Sequence, residues 1–414
     1  MKYARTANGG PGPPFDPDTT AAPMPSPTRT LALGAAAAAA TAGAAAALRL
    51  PVFGGAPDGP RLDRMRRSPQ WSGGRFRNPT PTTVGGSPGV VWEWLTAARD
   101  LRVPSGRVPT APRTAADFAA PQDLRLTWLG HGTTLVEVEG ARFLVDPVFS
   151  RNASPGPLFG VARFHEPPLP LAEVPPLDAV VLTHDHYDHL DAATVRQLAG
   201  RVPRWVCPLG VGAHLERWGV APDRVTELDW WEGAEVSGVR LVATPARHFS
   251  GRTLGDRDRT LWCGWAFVGA ARRAYATGDG GYDASFAEVG RRLGPFDATL
   301  AEVGAYNAGW ADIHMGPEQA VRAVQDARGG LMVPVHWGTF NLAFHGWTEP
   351  AERVVAAARA AGVPLAVPRP GESVDPARPP AVERWWPDQP WETAEQAPVA
   401  SSGVPPAPGG AAAR

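Results

Sequence analysis

Cysteine is almost missing: 414 residues hold two, Cys207 and Cys263. Two thiols cannot build a disulfide framework. Each sits in an apolar stretch ("RWVCPL", "LWCGWAF"), which reads as a buried free thiol. An excess of charge of one sign is also lacking, with 40 Lys and Arg against 41 Asp and Glu. Binding along a polyanion needs a basic surface to release counterions, so the balance argues against a nucleic-acid partner. Long apolar runs are scarce. The run "LALGAAAAAATAGAAAAL" (31–48) has no charge, but its eighteen residues fall just short of the roughly 20 that span a bilayer. Internal repeats at solenoid periods are absent too.

What is present divides the chain. Glycine and proline, 46 of each, cluster towards the ends. Residues 1–30 and the Pro/Ala-rich stretch 373–414 read as disordered tails. Segment 31–50 reads as a membrane anchor, as a signal segment with Met24 as its start, or as a compositional alanine tract. If it spans, the arginines behind it (Arg49, Arg61, Arg64, Arg66, Arg67) place the main domain on the cytoplasmic side. The expected location is membrane-associated or cytoplasmic. Residues 60–372 then form the folded domain, and a hydrophobic content of 43% is enough for a sizeable core.

Within that domain, short β-like runs alternate with helical patterns. "LRLTWLG", "TTLVEVEGARFLVDP" and "DAVVLTH" are β-branched, partly alternating, and closed by Gly, Asp or Pro. "RWVCPL", "RLVATPA", "LWCGWAFVG", "RRAYATGD", "ATLAEVG" and "LMVPVHWG" extend the series. "DAATVRQLAG" starts on a candidate N-cap, Asp191, and stops at a glycine; "DASFAEVGRRLG" repeats this from Asp283. "GPEQAVRAVQDARGG" places Pro317 in a first helical turn. Hairpins precede strand–helix alternation, so an α/β fold with a mixed sheet covered by helices is expected.

The stretch "AVVLTHDHYDHLDAATV" carries the chemistry. His184 and His186 are two apart, so in an extended segment they point to one side and can hold one ion. Asp188 and His189 follow as the chain turns towards a helix and can face a second. Imidazole and carboxylate suit zinc, and iron or manganese fit the same donors. A polar turn satisfied by water is the bland alternative, but H-x-H-x-D-H behind an apolar strand favours metal. One loop does not complete two shells. Further donors end other strands: His248 in "VATPARHFSGR", Asp279 in "AYATGDGGYD", His336 in "LMVPVHWGTF". Seven donors hold two ions if one carboxylate bridges, and Asp279 is the expected bridge. The glycines beside it are expected to let the backbone approach an ion. Two divalent ions lower the pKa of a shared water towards 7, giving hydroxide without a separate strong base.

This pattern resembles the metallo-β-lactamase fold superfamily, and one branch of it more closely: the N-acyl-phosphatidylethanolamine-hydrolysing phospholipase D family. Its runs stand here as "GRFRNPTPT", "LTWLGHGTTLVEVEGARFLVDPVFSRNASP", "RVTELDWWEG", "GRRLGPFD", "GAYNAGW", "HMGPEQAV" and "HWGTF", in order over roughly residues 65–350. The resemblance implies a four-layer αββα sandwich of two mixed sheets, with the site at one sheet edge. It implies one Zn2+ on His184, His186 and His248 and another on Asp188, His189 and His336, with Asp279 bridging. Asp188, Asp279 and His314 would be catalytic, with His314 touching the phosphate or delivering a proton to the leaving group. Tyr187 is a candidate substrate contact, though it fits packing equally. Asp146, Asp185 and Asp191 are candidates to orient the imidazoles, and Asp191 fits a helix cap as well. His131, in "LGHGTT", matches a family loop too, and fits a structural hydrogen bond at least as well as a catalytic role. His165, His214 and His345 read as surface or loop residues, and the tryptophan-rich stretches as core. A homodimer is implied.

One departure bears on substrate. Between "GAY" and "HMGPE" this chain has only "NAGWADI", where the family carries a longer, more basic and aromatic segment. The leading expectation is a di-zinc phosphodiesterase acting on N-acyl-phosphatidylethanolamine or a related phospholipid through a metal-bridging hydroxide. The first alternative is a lactonase resembling the ascorbate-6-phosphate lactonases. The second is a non-catalytic metal-binding protein, against which the full set of seven donors counts.

Overall fold

The computed structural model describes residues 51–85, 92, 100–155, 160–253 and 255–403. The expected tail 1–30 and the segment 31–50 lie outside these. Among the described residues no helix is long and apolar enough to cross a membrane.

Two small hairpins, β1 (Trp71–Ser72) with β2 (Arg75–Phe76) and β6 (Asn152–Ala153) with β7 (Val161–Ala162), flank two large mixed sheets. The first large sheet is built from β3 (Leu124–Gly130), β4 (Thr133–Val138), β5 (Ala141–Val145), β8 (Ala179–Val181), β9 (Trp205–Pro208), β10 (Val225–Leu228) and β17 (Ser373–Val374). Its order is β10-β9-β8-β5-β4-β3-β17. The second contains β11 (Gly233–Val236), β12 (Val239–Thr244), β13 (Gly264–Val268), β14 (Arg273–Ala276), β15 (Ala298–Glu302) and β16 (Leu331–Val335), paired in that order.

Each sheet begins as an antiparallel meander and ends in parallel strands. The sequence explains both halves. Glu139 and Gly140 have φ of 49° and 87°, the left-handed pair that a two-residue hairpin between β4 and β5 requires. Parallel neighbours need longer crossovers, which the helical patterns supply. After α1 (Gly59–Arg66), helix α2 (Ala192–Leu198) links β8 to β9 and α3 (Gly212–Arg217) lies between β9 and β10. Helices α4 (Ser285–Leu293) and α5 (Pro317–Asp326) carry the chain from β14 to β15 to β16, and α6 (Glu349–Ala361) follows. Asp191 caps α2 by accepting from Ala193 N. Asp283 accepts from Ser285 N at 2.8 Å, although the N-cap position itself is Ala284.

The period of two in the strands separates two cores. In β5, Phe143 and Val145 join the large core while Leu144 joins a second; in β8, Val181 and Val180 divide in the same way. The second core also takes Val195, Leu198 and Leu215 of α2 and α3, so the first sheet buries one face against these helices. The large core includes strands of both sheets together with Ala320, Val324, Val354 and Ala358 of α5 and α6. Sandwiching both sheets between helices yields the expected four layers. The tryptophan-rich stretches are core, as expected: Trp230, Trp262 and Trp265 are buried. Cys207 and Cys263 are buried and free.

The composition-based expectation of disorder beyond 372 does not describe residues 373–403. Strand β17 pairs with β3. Trp385 and Trp386 then join Trp128 and Trp337, with ring centroids 5.2–5.8 Å apart in successive pairs. Ser401 Oγ donates to Ala311 O at 2.7 Å, and Ser402 N donates to Asp312 Oδ1 at 2.6 Å. The physical reason is local: two large indoles and a few serines find specific partners, which overrides a proline-rich average. Trp386 is buried, and its Nε1 donates to Glu352 Oε1 at 2.8 Å. Replacing it with alanine is expected to cost about 3–5 kcal/mol of stability, read as a lower urea midpoint at unchanged slope.

Candidate metal centre

The site forms where strands of both sheets end. Three of its residues have left-handed backbones: His131 (φ 51°), Asp146 (φ 41°) and His336 (φ 66°). Such positions cost of order 1–3 kcal/mol each and persist only where surroundings hold them. Here each follows a strand directly, so the chain breaks direction at once and turns the side chain to the sheet edge.

Asp146, just past β5, anchors the histidine loop. It accepts from Thr183 N at 2.8 Å, Thr183 Oγ1 at 2.6 Å and His189 Nδ1 at 2.8 Å. Thr183 Oγ1, having donated to Asp146, accepts from His184 Nδ1 at 2.9 Å. His248 Nδ1 donates to the Ile313 carbonyl at 2.8 Å. In all three rings the bonded Nδ1 carries the hydrogen, which leaves each Nε2 as a bare donor of electrons.

Those Nε2 atoms converge. His184 Nε2 and His248 Nε2 lie 2.9 and 3.2 Å from His186 Nδ1. On the other side, His189 Nε2 and His336 Nε2 are 3.1 Å apart, and each lies 3.4 Å from Asp188 Oδ2. Asp279 Oδ2 sits between the groups: 3.1 and 3.0 Å from His189 and His336, 3.9 Å from both His184 and His248. All seven expected donors are thus brought together, in the expected two sets, with Asp279 reaching both. This is a candidate His/Asp metal site.

Electrostatics reinforce the geometry. Burial, aided by neighbouring imidazoles, holds His184 and His248 well below the ordinary histidine range. Burial alone would lower His336 too, but the Asp279 and Asp188 carboxylates push it up to about 10. Burial would raise Asp188 and Asp279, yet the adjacent imidazoles keep both well below the usual carboxylate range. Burial would lower His189 as well, but Asp279, Asp188 and Asp146 raise it well above the ordinary range. The site thus pairs neutral His184 and His248 with ionised carboxylates that draw positive charge onto His189 and His336.

Support comes from polar side chains further out. His131 Nε2 lies 2.8 Å from Asp188 Oδ2, the structural hydrogen bond expected of it. Asp185 accepts from Gly251 N, Thr260 Oγ1 and His214 Nε2 at 2.7, 2.7 and 3.3 Å. His214 is accordingly buried in α3 rather than in a loop or at the surface, whereas His165, though buried, and the half-buried His345 lie in loops. The His214 correction has a plain cause: a lone histidine gives no sign of which carboxylate the fold will bring to it. Tyr187 turns away from the centre. Its hydroxyl donates to Arg252 O at 2.6 Å, and the Arg252 guanidinium lies 4.1 Å above its ring. Asp191 caps its helix and also accepts from Ser150 N at 3.0 Å. The glycines after Asp279 serve the protein backbone rather than an ion: a Cβ on Gly281 would lie 2.2 Å from Asp312 O.

Two features escaped the sequence. Glu302, at the end of β15, is buried and bonds His314 Nδ1, Met315 N and Gly280 N. Its signal was available, an acid closing an apolar strand as Asp279 and His336 do, but "ATLAEVG" reads as strand alone. The C-terminal clamp is the other. Arg247, beside His248, donates to Ser402 O at 2.9 Å and pairs with Asp312 at 3.1 Å. A cleft of about 280 Å³ opens over His186, Asp188, Asp279 and His314, and Val84, Phe249, Trp310, Ile313 and Leu342 complete its wall.

The model of the beta-lactamase superfamily domain matches residues 141–337. Together with the two mixed sheets and the donor cluster, this defines a metallohydrolase of the metallo-β-lactamase superfamily. An uncharacterized protein of Mycobacterium tuberculosis is 51% identical over 302 residues, covering 72% of this chain and 80% of the relative. N-acyl-phosphatidylethanolamine-hydrolyzing phospholipase D 1 of Caenorhabditis elegans is 36% identical over 302 residues, covering 68% and 85%. Among solved structures, an isothiocyanate hydrolase from Delia radicum gut bacteria is 22% identical with a TM-score of 0.48, covering 61% of this chain and 98% of its own. The chain belongs to the N-acyl-phosphatidylethanolamine-hydrolysing phospholipase D family within that superfamily.

Asp146 touches both the histidine loop and His189 without reaching the centre itself. Asp146→Ala is expected to weaken metal affinity about 10–100-fold, measured with added zinc by competition with a chelating dye.

Proposed function

We propose that the chain is a zinc-dependent phosphodiesterase of the phospholipase D type, acting on N-acyl-phosphatidylethanolamine or a related phospholipid. One observation carries the reading: Asp279 Oδ2 lies between two sets of imidazole nitrogens at the floor of a cleft with an apolar wall. Nitrogens of facing imidazoles lie 2.9–3.2 Å apart, close enough for a cation to be coordinated by both. The nitrogen-and-carboxylate donor set fits zinc, with iron or manganese as the other candidates. His184, His186 and His248 would hold one ion, Asp188, His189 and His336 the other, and Asp279 both. When bound, the ions would supply an acidified water and neutralise charge at phosphorus.

The chain's own residues do the rest. Asp146 and the Ile313 carbonyl keep Nε2 of His189 and His248 turned inward. His131 restrains Asp188. Phe249 packs its ring edge-on to His186, with centroids 4.4 Å apart, and with Trp310 and Leu342 offers acyl chains a surface and excludes water. His314 stands at the cleft beside Asp279, placed to meet the phosphate or the departing oxygen. A bilayer lipid as substrate fits a membrane-associated location.

A lactonase is the second reading, favoured by one feature: among the described residues no lysine or arginine lines the cleft, which suits an uncharged ester. Purified protein is expected to carry close to two zinc ions per chain by elemental analysis, and to release phosphatidic acid from N-acyl-phosphatidylethanolamine vesicles by mass spectrometry. His184→Ala and Asp279→Asn should each lower that turnover at least about 1,000-fold, the scale of removing a principal transition-state charge stabiliser. Metal-loaded protein that opens lactones and leaves every phospholipid intact would transfer the site to the second reading.

A further inference from the structure

We infer that Glu302 is a positioning residue for His314: it fixes that imidazole with hydrogen on Nδ1, so that Nε2 is the nitrogen offered to the substrate. The inference rests on the phosphodiesterase reading for what His314 then does, and on geometry alone for how the ring is held.

Glu302 Oε1 lies 3.2 Å from His314 Nδ1 and 3.2 Å from Met315 N; Oε2 lies 3.1 Å from Gly280 N. A main-chain N–H only donates, so both carboxyl oxygens are accepting. Oε1 therefore meets Nδ1 as a second donor. A bare Nδ1 there would set two lone pairs against each other at 3.2 Å, in a place where Glu302 is 1% exposed. The ring is also held on its faces, stacked on His336 with centroids 5.3 Å apart and edge-on to His248 at 5.0 Å. A flip that swaps the two nitrogens would put a ring carbon against Glu302 and break that bond. Glu302 also lies among groups close enough to share an ion with Asp279, His314 and His336. Both its oxygens are already engaged by main-chain donors, so positioning is the role the geometry assigns.

The consequence is a carboxyl–imidazole pair beneath the cleft, in which Nδ1–H stays on Glu302 while Nε2 handles the reacting proton. The attacking water gives its oxygen to phosphorus and one proton to the bare Nε2. As the ester P–O bond breaks, its electron pair goes to the departing alcohol oxygen, which takes that proton from Nε2, so the pair ends as it began.

The test compares wild type, Glu302→Ala, Glu302→Gln and His314→Gln as zinc-loaded full-length proteins, with zinc content measured for each. Two substrates are used: N-acyl-phosphatidylethanolamine vesicles, whose leaving alkoxide needs a proton, and bis(4-nitrophenyl) phosphate, whose leaving phenolate does not. Glu302→Ala and His314→Gln should lower kcat on the lipid about 100-fold, at least ten times more than on the nitrophenyl ester, with KM changed less than threefold. Glu302→Gln, which keeps an acceptor facing Nδ1, should recover most of the loss. Independently, nitrogen NMR of histidine-labelled protein should show hydrogen on Nδ1 of His314 in wild type and Glu302→Gln, and a mixture in Glu302→Ala. Equal losses on both substrates, loss of zinc in step with activity, or hydrogen on Nε2 alone in wild type would each overturn the inference. If wild type cleaves neither phosphodiester, the proposed function falls, and the NMR result still decides how Glu302 holds His314.

Discussion

Like repels like at the centre of this molecule. Imidazole nitrogens and carboxylate oxygens from four separate stretches of chain crowd within a few ångströms of one another, most of them buried. Buried groups of this kind are tolerated only when something satisfies them. The remaining architecture serves that requirement. It delivers the donors, fixes which nitrogen of each ring faces inward, and leaves one side open as a cleft.

Delivery is a property of sheet edges. Strand β5 ends at Asp146, β8 feeds the histidine loop, β14 runs out towards Asp279, β15 ends on Glu302 and β16 stops just before His336. A strand packed on both faces is rigid, so a side chain one or two residues past its end starts from a well-defined place. Orientation is a property of the layer beyond. Asp146, the Thr183 hydroxyl and the Ile313 carbonyl each take one ring hydrogen and thereby select the opposite nitrogen. The C-terminal segment adds a clamp: Ser402 and Asp312 meet Arg247, one residue before His248 and two before His314 respectively. Family membership and site geometry thus point to the same chemistry through independent routes.

Much of this was legible in advance. The nine strand-like runs named from sequence all contain strands, because burial on both faces forces β-branched and aromatic residues into short continuous runs. The seven donors were legible because metal coordination restricts residue types severely and strand ends restrict their placement. Strands β10, β11 and β17 went unread: "VTEL", "GAEV" and "SV" lie at or near sheet edges, where half-exposed polar residues weaken the alternation. Composition misjudged 373–403, since an average over prolines and alanines is blind to two indoles that complete a tryptophan cluster. His214 was misjudged, and Tyr187 was left open between pocket and packing, because a side chain's direction depends on a partner distant in sequence.

By itself, the sequence determined which chemistry was available: two mixed sheets, donors of one kind at their ends, and no framework of disulfides or excess charge to suggest another use. Only the tertiary structure decided which ring nitrogen of each histidine is free, that Asp279 reaches both sets of donors, and that Glu302 lies under His314. Residue type is written locally, whereas the contacts that orient Glu302 with His314, His336 with His189, and Asp146 with Thr183 span 12 to 147 positions and form only in the folded chain.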